Sequence, residues 1–105
     1  MIVTNEMLED YVIFPDFLRE FKISMTAKLI YSVIMTEAMK GKMTDEQGRL
    51  YMEISTEKLA GQIGKSKPSV KAHLRTLSDV GLIERKPQTT RIYPKKPVSG
   101  EKKSI

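Results

Sequence analysis

The feature that most constrains the fold is a pair of short helical segments between Ser55 and Gly81. Ser55 can cap the first, which ends at Gly64, and Ser66 can cap the second. Each segment carries one apolar stripe at helical spacing, formed by Leu59, Ala60 and Ile63 in the first and Val70, Leu74 and Leu77 in the second. The four-residue junction 64–67 leaves room only for a tight turn, so this region predicts a helix-turn-helix.

The flanking segments predict one more helix and three short strands. A long helix is expected over residues 24–40, stopped by Gly41, with its methionines Met25, Met35 and Met39 filling the core. Alternation over residues 50–54 predicts a strand with Leu50, Met52 and Ile54 inside. Residues 82–86 and 91–93 then predict a hairpin. This order is typical of an α+β winged helix-turn-helix, a three-helix core with a small antiparallel sheet and a wing.

Charge is divided unevenly along the chain. Residues 1–63 carry 7 Lys and Arg against 10 Asp and Glu, whereas residues 64–105 carry 11 against 3. A positive field confined to one part of a protein favours a polyanionic partner, with nucleic acid the first candidate. The alternative is that the lysines only keep a small protein soluble.

The second short helix has a basic outer face. At 100° per residue from Val70, Leu74 and Leu77 stay within about 40° of the core direction, whereas Lys71 and Arg75 lie at about 100° and 140°. Arg and Lys can reach guanine O6 and N7, and small residues allow close approach to a groove. The alternative is an ordinary solvated face. The candidate DNA contacts on this helix and its junction are Lys65, Lys67, Ser69, Lys71, Ala72 and Arg75.

The predicted hairpin supplies a second set of candidate contacts, Arg85, Lys86 and Arg91 around the polar tip 88–90. A wing of this kind can follow the phosphate backbone or enter a minor groove. The same hairpin can also simply close the core through Leu82, Ile83 and Ile92, and both functions are compatible because alternate strand residues face opposite sides.

No pattern of catalytic residues is found, and an enzyme is not expected. Cysteine is absent and His73 is the sole histidine. A structural role or a phosphate-side role therefore suits His73 better than a metal site or the activation of a catalytic nucleophile. No cofactor, metal or small-molecule substrate is expected. The acidic N-terminus and the short apolar runs support neither export nor membrane insertion, and a chain without disulfides suits the cytoplasm.

The predicted organisation is an arm with a short helix packing on the core over residues 1–22, the winged helix-turn-helix over 23–94 and a basic, disordered tail over 95–105. The arm and the long helix offer more apolar surface than a small core needs, notably Phe14, Phe17, Leu18 and Phe21. A homodimer is therefore the expected assembly.

Three stretches resemble the N-terminal domain of RepA-type replication initiators of plasmids and mobile elements. They are the Ala-Lys-x-x-Tyr helix at 27–31, the Asp-Glu-x-Gly turn with Tyr51, and residues 55–60 followed by Gly-Leu-Ile-Glu at 81–84. The resemblance covers about residues 11–93 and implies a winged-helix dimer that binds repeated sites at a replication origin. It places the contacts at Lys67, Ser69, Lys71, Ala72, Arg75, Arg85, Lys86 and Arg91. Met43 stands where the family often has tryptophan, and the chain ends near residue 105, where full initiators carry a further domain.

The function expected from these observations is sequence-specific binding of duplex DNA, as the DNA-binding domain of a replication initiator. A transcriptional regulator with the same fold is the first alternative, since the sequence does not separate the two. The second alternative is a winged helix that binds proteins and not DNA.

Overall fold

The computed structural model describes residues 12–96, which form one α+β core. A 3-10 turn over Asp16–Glu20 precedes helix α1, Met25–Gly41. Strand β1, Met52–Glu53, leads to α2, Thr56–Ile63, and α3, Lys67–Asp79. Strands β2, Ile83–Arg85, and β3, Arg91–Pro94, complete the chain order.

Each α-helix begins at a serine whose hydroxyl accepts a backbone N–H. Ser24 accepts from Ala27 at 3.1 Å, Ser55 from Lys58 at 3.2 Å and Ser66 from Ser69 at 3.3 Å. These bonds satisfy amides that have no partner inside the helix, so the predicted starts of all three helices are confirmed. Gly64 and Gly81 have φ near +80°, the left-handed conformation in which α2 ends and the chain turns after α3.

The three strands form an antiparallel sheet in the order β1, β3, β2. Met52 pairs with Ile92, which also pairs with Arg85, so these side chains share one face of the sheet. Met52, Ile83 and Ile92 pack on that face against the helices. The opposite face carries Glu53, Glu84, Arg91 and Tyr93.

The core lies between that sheet face and the three helices. The apolar stripes predicted for the helices are buried, with the exception of the half-buried Ile63. Leu18 and Phe21 of the segment before α1 also enter the core, and Phe17 stacks edge-on against the Tyr31 ring with centroids 5.9 Å apart. In the segment before α1, Phe17, Leu18 and Phe21 pack with the core, whereas Val12 and Phe14 are exposed. Residues 1–11 of the predicted arm and residues 97–105 of the predicted tail lie outside the described residues.

Three local predictions are wrong. Gly41 does not stop α1; the helix includes it, and Lys42 takes the left-handed conformation and donates its N–H to the Ala38 carbonyl. Leu50 is exposed and Tyr51 is buried, because Arg91 and Tyr93 of β3 pack against the Tyr51 ring on the outer face of the sheet. Met25 and Met39 are exposed and only Met35 packs against the core, because Met25 and Met39 point away from the buried stripe of α1.

Candidate nucleic-acid interface

The exposed face of α3 is basic and small, as the helical angles predict. Lys71, Ala72 and Arg75 are exposed and Ser69 is half-buried, while Val70, Leu74 and Leu77 hold the opposite face in the core. Pro68 lies in the first turn, where its missing N–H removes no helical bond. The face is thus fixed in direction by three buried side chains and free to meet a groove.

The junction between α2 and α3 adds two exposed lysines, Lys65 and Lys67. Lys67 Nζ lies 3.4 Å from the Glu57 carboxylate on α2, and both side chains are solvent-accessible. An exposed pair of this kind is weak and can be exchanged for a stronger anion. Lys67 is therefore positioned for phosphate but shares its charge with Glu57 in the free protein.

His73 stands on the flank of α3 and its Nδ1 lies 2.7 Å from the Ser69 carbonyl oxygen. A carbonyl only accepts, so Nδ1 carries the proton and donates. The bond spans one helical turn and satisfies the ring within α3. Of the two roles expected for the only histidine, structural or phosphate-side, this bond is compatible with the structural one.

The hairpin between β2 and β3 is a short, polar wing. The Thr89 hydroxyl donates to the Lys86 carbonyl at 2.9 Å and accepts from the Arg91 N–H at 3.2 Å, and Gln88 takes the left-handed conformation. Arg85 and Lys86 are exposed at the start of this turn. Because Arg85 shares the sheet face of Ile83 and Ile92, it points to the same side of the sheet as the packed helices.

Arg91 lies apart from the other candidate contacts. Its guanidinium carbon is 4.3 Å from the centroid of the Tyr51 ring and its Nε is 3.9 Å from the Glu53 carboxylate, and the side chain is 27% exposed. It belongs to the outer face of the sheet, opposite Arg85. Six of the nine predicted residues lie on α3 and the junction before it, Arg85 and Lys86 lie at the wing, and Arg91 lies on the outer face of the sheet.

The outer sheet face also holds a polar cluster that the sequence analysis missed. The Asp45 carboxylate accepts the backbone N–H groups of Gln47 and Arg49 at 2.9 Å, the Arg49 Nε at 2.9 Å and the Tyr93 hydroxyl at 3.2 Å. These bonds, led by the Arg49 N–H, lower the pKa of Asp45 to about 2. An aspartate at the start of a Gly-containing turn was the available signal, but its bond to Tyr93 joins residues 48 positions apart.

Within residues 12–96, the candidate interface consists of exposed basic and small side chains on α3 and the hairpin. No group of three or more His, Cys, Asp or Glu side chains within residues 12–96 could hold a metal ion. Over the same residues, no helix is both long enough and apolar enough to cross a bilayer. A ligand at this site would meet positively charged Lys and Arg side chains on α3 and on the β2–β3 hairpin.

These features define a winged helix-turn-helix domain. The chain belongs to the family described as the replication initiator protein A (RepA) N-terminus, whose sequence model matches residues 10–104. The resemblance seen in the sequence is thereby confirmed.

Solved structures share this fold. One, described as an MDR initiator, superposes with a TM-score of 0.75 at 18% identity and covers 96% of this chain and 91% of that chain. Another, described as a Rep–DNA complex, gives a TM-score of 0.73 at 22% identity, over 96% and 87%. A third, the N-terminal domain of a DNA-binding protein, gives 0.71 at 21%, also over 96% and 87%. The comparison with curated proteins found no match.

Proposed function

We propose that this domain binds duplex DNA sequence-specifically in the cytoplasm, as the DNA-binding domain of a replication initiator and not as an enzyme. The observation that carries the proposal is the exposed basic face of α3, held outward by Val70, Leu74 and Leu77. Membership of the initiator N-terminal family and a structural neighbour described as a Rep–DNA complex support it.

In this proposal α3 enters the major groove. Lys71 and Arg75 lie one helical turn apart on its exposed face, and their donors suit the O6 and N7 acceptors of guanine. Ala72 lies between them and presents only a methyl group, so the backbone of α3 can approach the bases. Lys65 and Lys67 precede the helix, where they can contact phosphates and fix the register.

The wing contributes backbone contacts through Arg85 and Lys86 at its tip. Arg91 acts differently, because its guanidinium is engaged with Tyr51 and Glu53 on the outer sheet face. We propose that Arg91 positions β3 and thus the wing, and that it does not itself reach the DNA.

Selection of bound fragments from the source genome, followed by sequencing, supplies the preferred site. Repeated sites beside a replication gene support the initiator, whereas a single palindrome at a promoter supports a transcriptional regulator. On the preferred site, Arg75→Ala should weaken binding by about 1–3 kcal/mol, and by much less on random DNA. Arg19→Ala is the matched control, since Arg19 is an exposed arginine paired with Asp16 in the 3-10 turn.

An equal loss on both DNAs would show that Arg75 contacts phosphate and does not discriminate bases. The double variant Lys71→Glu with Arg75→Glu provides the stronger test, because it reverses two charges on the proposed groove face. Unchanged affinity in that variant would remove the DNA-binding proposal and leave a protein-interaction module.

We also propose that the domain acts as a homodimer. Met25 and Leu29 lie one turn apart on α1 and remain exposed, and Val12 and Phe14 are exposed beside that helix. Apolar side chains grouped in this way on a small domain favour self-association. Sedimentation of the protein at high micromolar concentration tests this: a dimer that Leu29→Glu dissociates is expected, and a monomer would contradict it.

A further inference from the structure

A groove with a volume of about 460 Å³ lies at the C-terminal end of α1, away from the residues proposed to bind DNA. Its apolar surface is formed by Met35 and Met39 of α1, together with Leu50 and Pro94. Met39 is 45% exposed and Leu50 36% exposed, unusual values for large apolar side chains that line one concave surface. The groove is large enough to accept several apolar side chains of a peptide.

The rim of the groove is mainly basic. Arg49, Lys95 and Lys96 line it, against the single acid Glu84. Arg49 is already bonded to Asp45, so the lysines dominate the charge that a ligand meets. The Lys95 backbone is held on both sides, because its N–H donates to the Leu82 carbonyl at 2.7 Å and its carbonyl accepts the hydroxyl of buried Tyr31 at 2.8 Å. The groove is therefore a fixed surface. Its apolar lining and basic rim suit a peptide segment that combines apolar side chains with carboxylates.

The chain itself contains a segment of this chemistry. Residues 1–11 carry three carboxylates and no Lys or Arg, interspersed with large apolar side chains, which are Met1, Ile2, Val3, Met7, Leu8 and Tyr11. The other end of the chain has the opposite character, since residues 97–105 include two lysines and one glutamate. Charge complementarity thus selects the N-terminal segment.

The course of the chain leads this segment to the groove. The Ile13 N–H donates to the Thr36 hydroxyl at 2.8 Å, and four residues later Phe17 stacks on Tyr31. The segment 13–17 therefore runs antiparallel to α1, and its upstream end points toward the end of the helix that carries Met39. Met39 lies about 4.5 Å along the helix axis from Thr36, and eleven residues can span roughly 36 Å.

We propose that the acidic N-terminal segment, residues 1–11, docks in the groove between α1 and β3 of its own chain. The apolar side chains of the segment cover Met39 and Leu50, and its carboxylates face Lys95 and Lys96. This inference is independent of DNA binding, because none of the groove residues belongs to α3 or to the wing tip.

The absence of cysteine from the sequence allows a clean test with the full chain. A nitroxide attached to Thr4→Cys should broaden the amide NMR signals of Met39, Leu50 and Lys96 and remove most of their intensity, while the signals of α2 keep theirs. Lys95→Glu with Lys96→Glu should restore the lost intensity. The pair Lys22→Glu with Lys58→Glu makes the same charge change elsewhere on the surface and should restore nothing.

Two outcomes would overturn the proposal. Weak broadening spread over the whole chain, or strong broadening confined to another surface, would show that the segment does not occupy the groove. Broadening of a labelled chain by a nitroxide on a second, unlabelled chain in a mixed sample would show that the occupant comes from another copy. A dispersed amide spectrum of each variant establishes that it remains folded, so that restored signals report undocking.

Discussion

At the scale of single residues, the proposed DNA contact of Lys67 predicts a role for Glu57, which pairs with it. The two side chains are 3.4 Å apart at the junction proposed to meet phosphates, and both are exposed. Glu57→Gln removes the competing carboxylate and its repulsion of the DNA backbone. We expect affinity for the preferred site to rise by about 1.4-fold to fivefold, the range set by exposed ion pairs of about 0.2–1 kcal/mol.

Fluorescence anisotropy with a labelled duplex measures this change. Glu46→Gln is the matched control, since it removes one exposed carboxylate from the turn before β1. Unchanged or weakened binding of the Glu57 variant would place Lys67 outside the DNA interface.

Asp45 is the residue whose ionisation bears most on the fold. Its side chain is 3% exposed and accepts four hydrogen bonds, which lower its pKa to about 2 from an ordinary value of about 3.9. Because the folded pKa is depressed, the contribution of the carboxylate to stability is complete above about pH 5 and is lost as the pH falls from about 4 toward 2.

Asp45→Asn keeps an acceptor oxygen and removes the charge. The variant should be less stable than the wild type at pH 6, and the difference should shrink as the pH falls below about 4. Urea unfolding at a series of pH values measures both curves. A difference in the free energy of unfolding that stays constant down to pH 2 would show that the charge of Asp45 contributes nothing to stability.

At the scale of secondary-structure elements, the turn between α2 and α3 sets the geometry of the two helices in the proposed DNA interface. Gly64 has φ +79° and no atom within 4 Å of the position a Cβ would take, so conformation alone opposes a side chain there. Gly64→Ala should cost about 1–2 kcal/mol in the free energy of unfolding. Gly61 lies inside α2 with equal space and no positive φ, so Gly61→Ala should stabilise by about 0.5–1 kcal/mol.

Urea denaturation of the two alanine variants compares the same chemical change in two backbone conformations. Destabilisation by both, or by neither, would contradict the assignment of Gly64 as the left-handed end of α2. The comparison also separates the cost of the turn from any effect of added bulk, because both sites are open.

The elements that the sequence predicts correctly are those defined by local chemistry. Ser55, Ser66 and Gly64 act within a few residues of their own positions, so their caps and turns are visible in the sequence. The burial of Tyr51 depends on Arg91 and Tyr93, some forty positions away, and alternation alone does not tell which strand face a later segment covers.

The candidate site also contains residues that the sequence places correctly, on α3, and one that it does not, Arg91. The basic face of α3 follows from helical geometry, and residues 65–75 are placed as their spacing indicates. Arg91 is close to the wing tip in sequence, and proximity in sequence places it with the wing. Its side chain lies on the other face of the sheet from Arg85, as the pairing of β3 with both β1 and β2 shows.

At the scale of the whole molecule, the uneven distribution of charged residues along the sequence gives the folded protein an uneven electrostatic field. Residues 64–105 carry 11 Lys and Arg against 3 Asp and Glu, whereas residues 1–63 are net negative, and the described part of residues 64–105 forms α3, β2, β3 and the wing. If the interface neutralises about five phosphates, log affinity should fall with log salt at a slope of about −4.5. Lys65→Gln should make that slope shallower by about 0.9, because it removes one phosphate contact.

Lys22→Gln is the control for this experiment, since it removes one exposed lysine that lies outside α2, α3 and the wing. The Lys22 variant should bind DNA slightly more weakly, because it lowers the long-range positive field. The slope of log affinity against log salt should stay unchanged, because a distant charge is screened and displaces no cation condensed on the DNA. Titration of labelled duplex at a series of salt concentrations measures all three slopes. Equal slopes for the two lysine variants would mean that net charge alone attracts DNA and that the α2–α3 junction does not touch it.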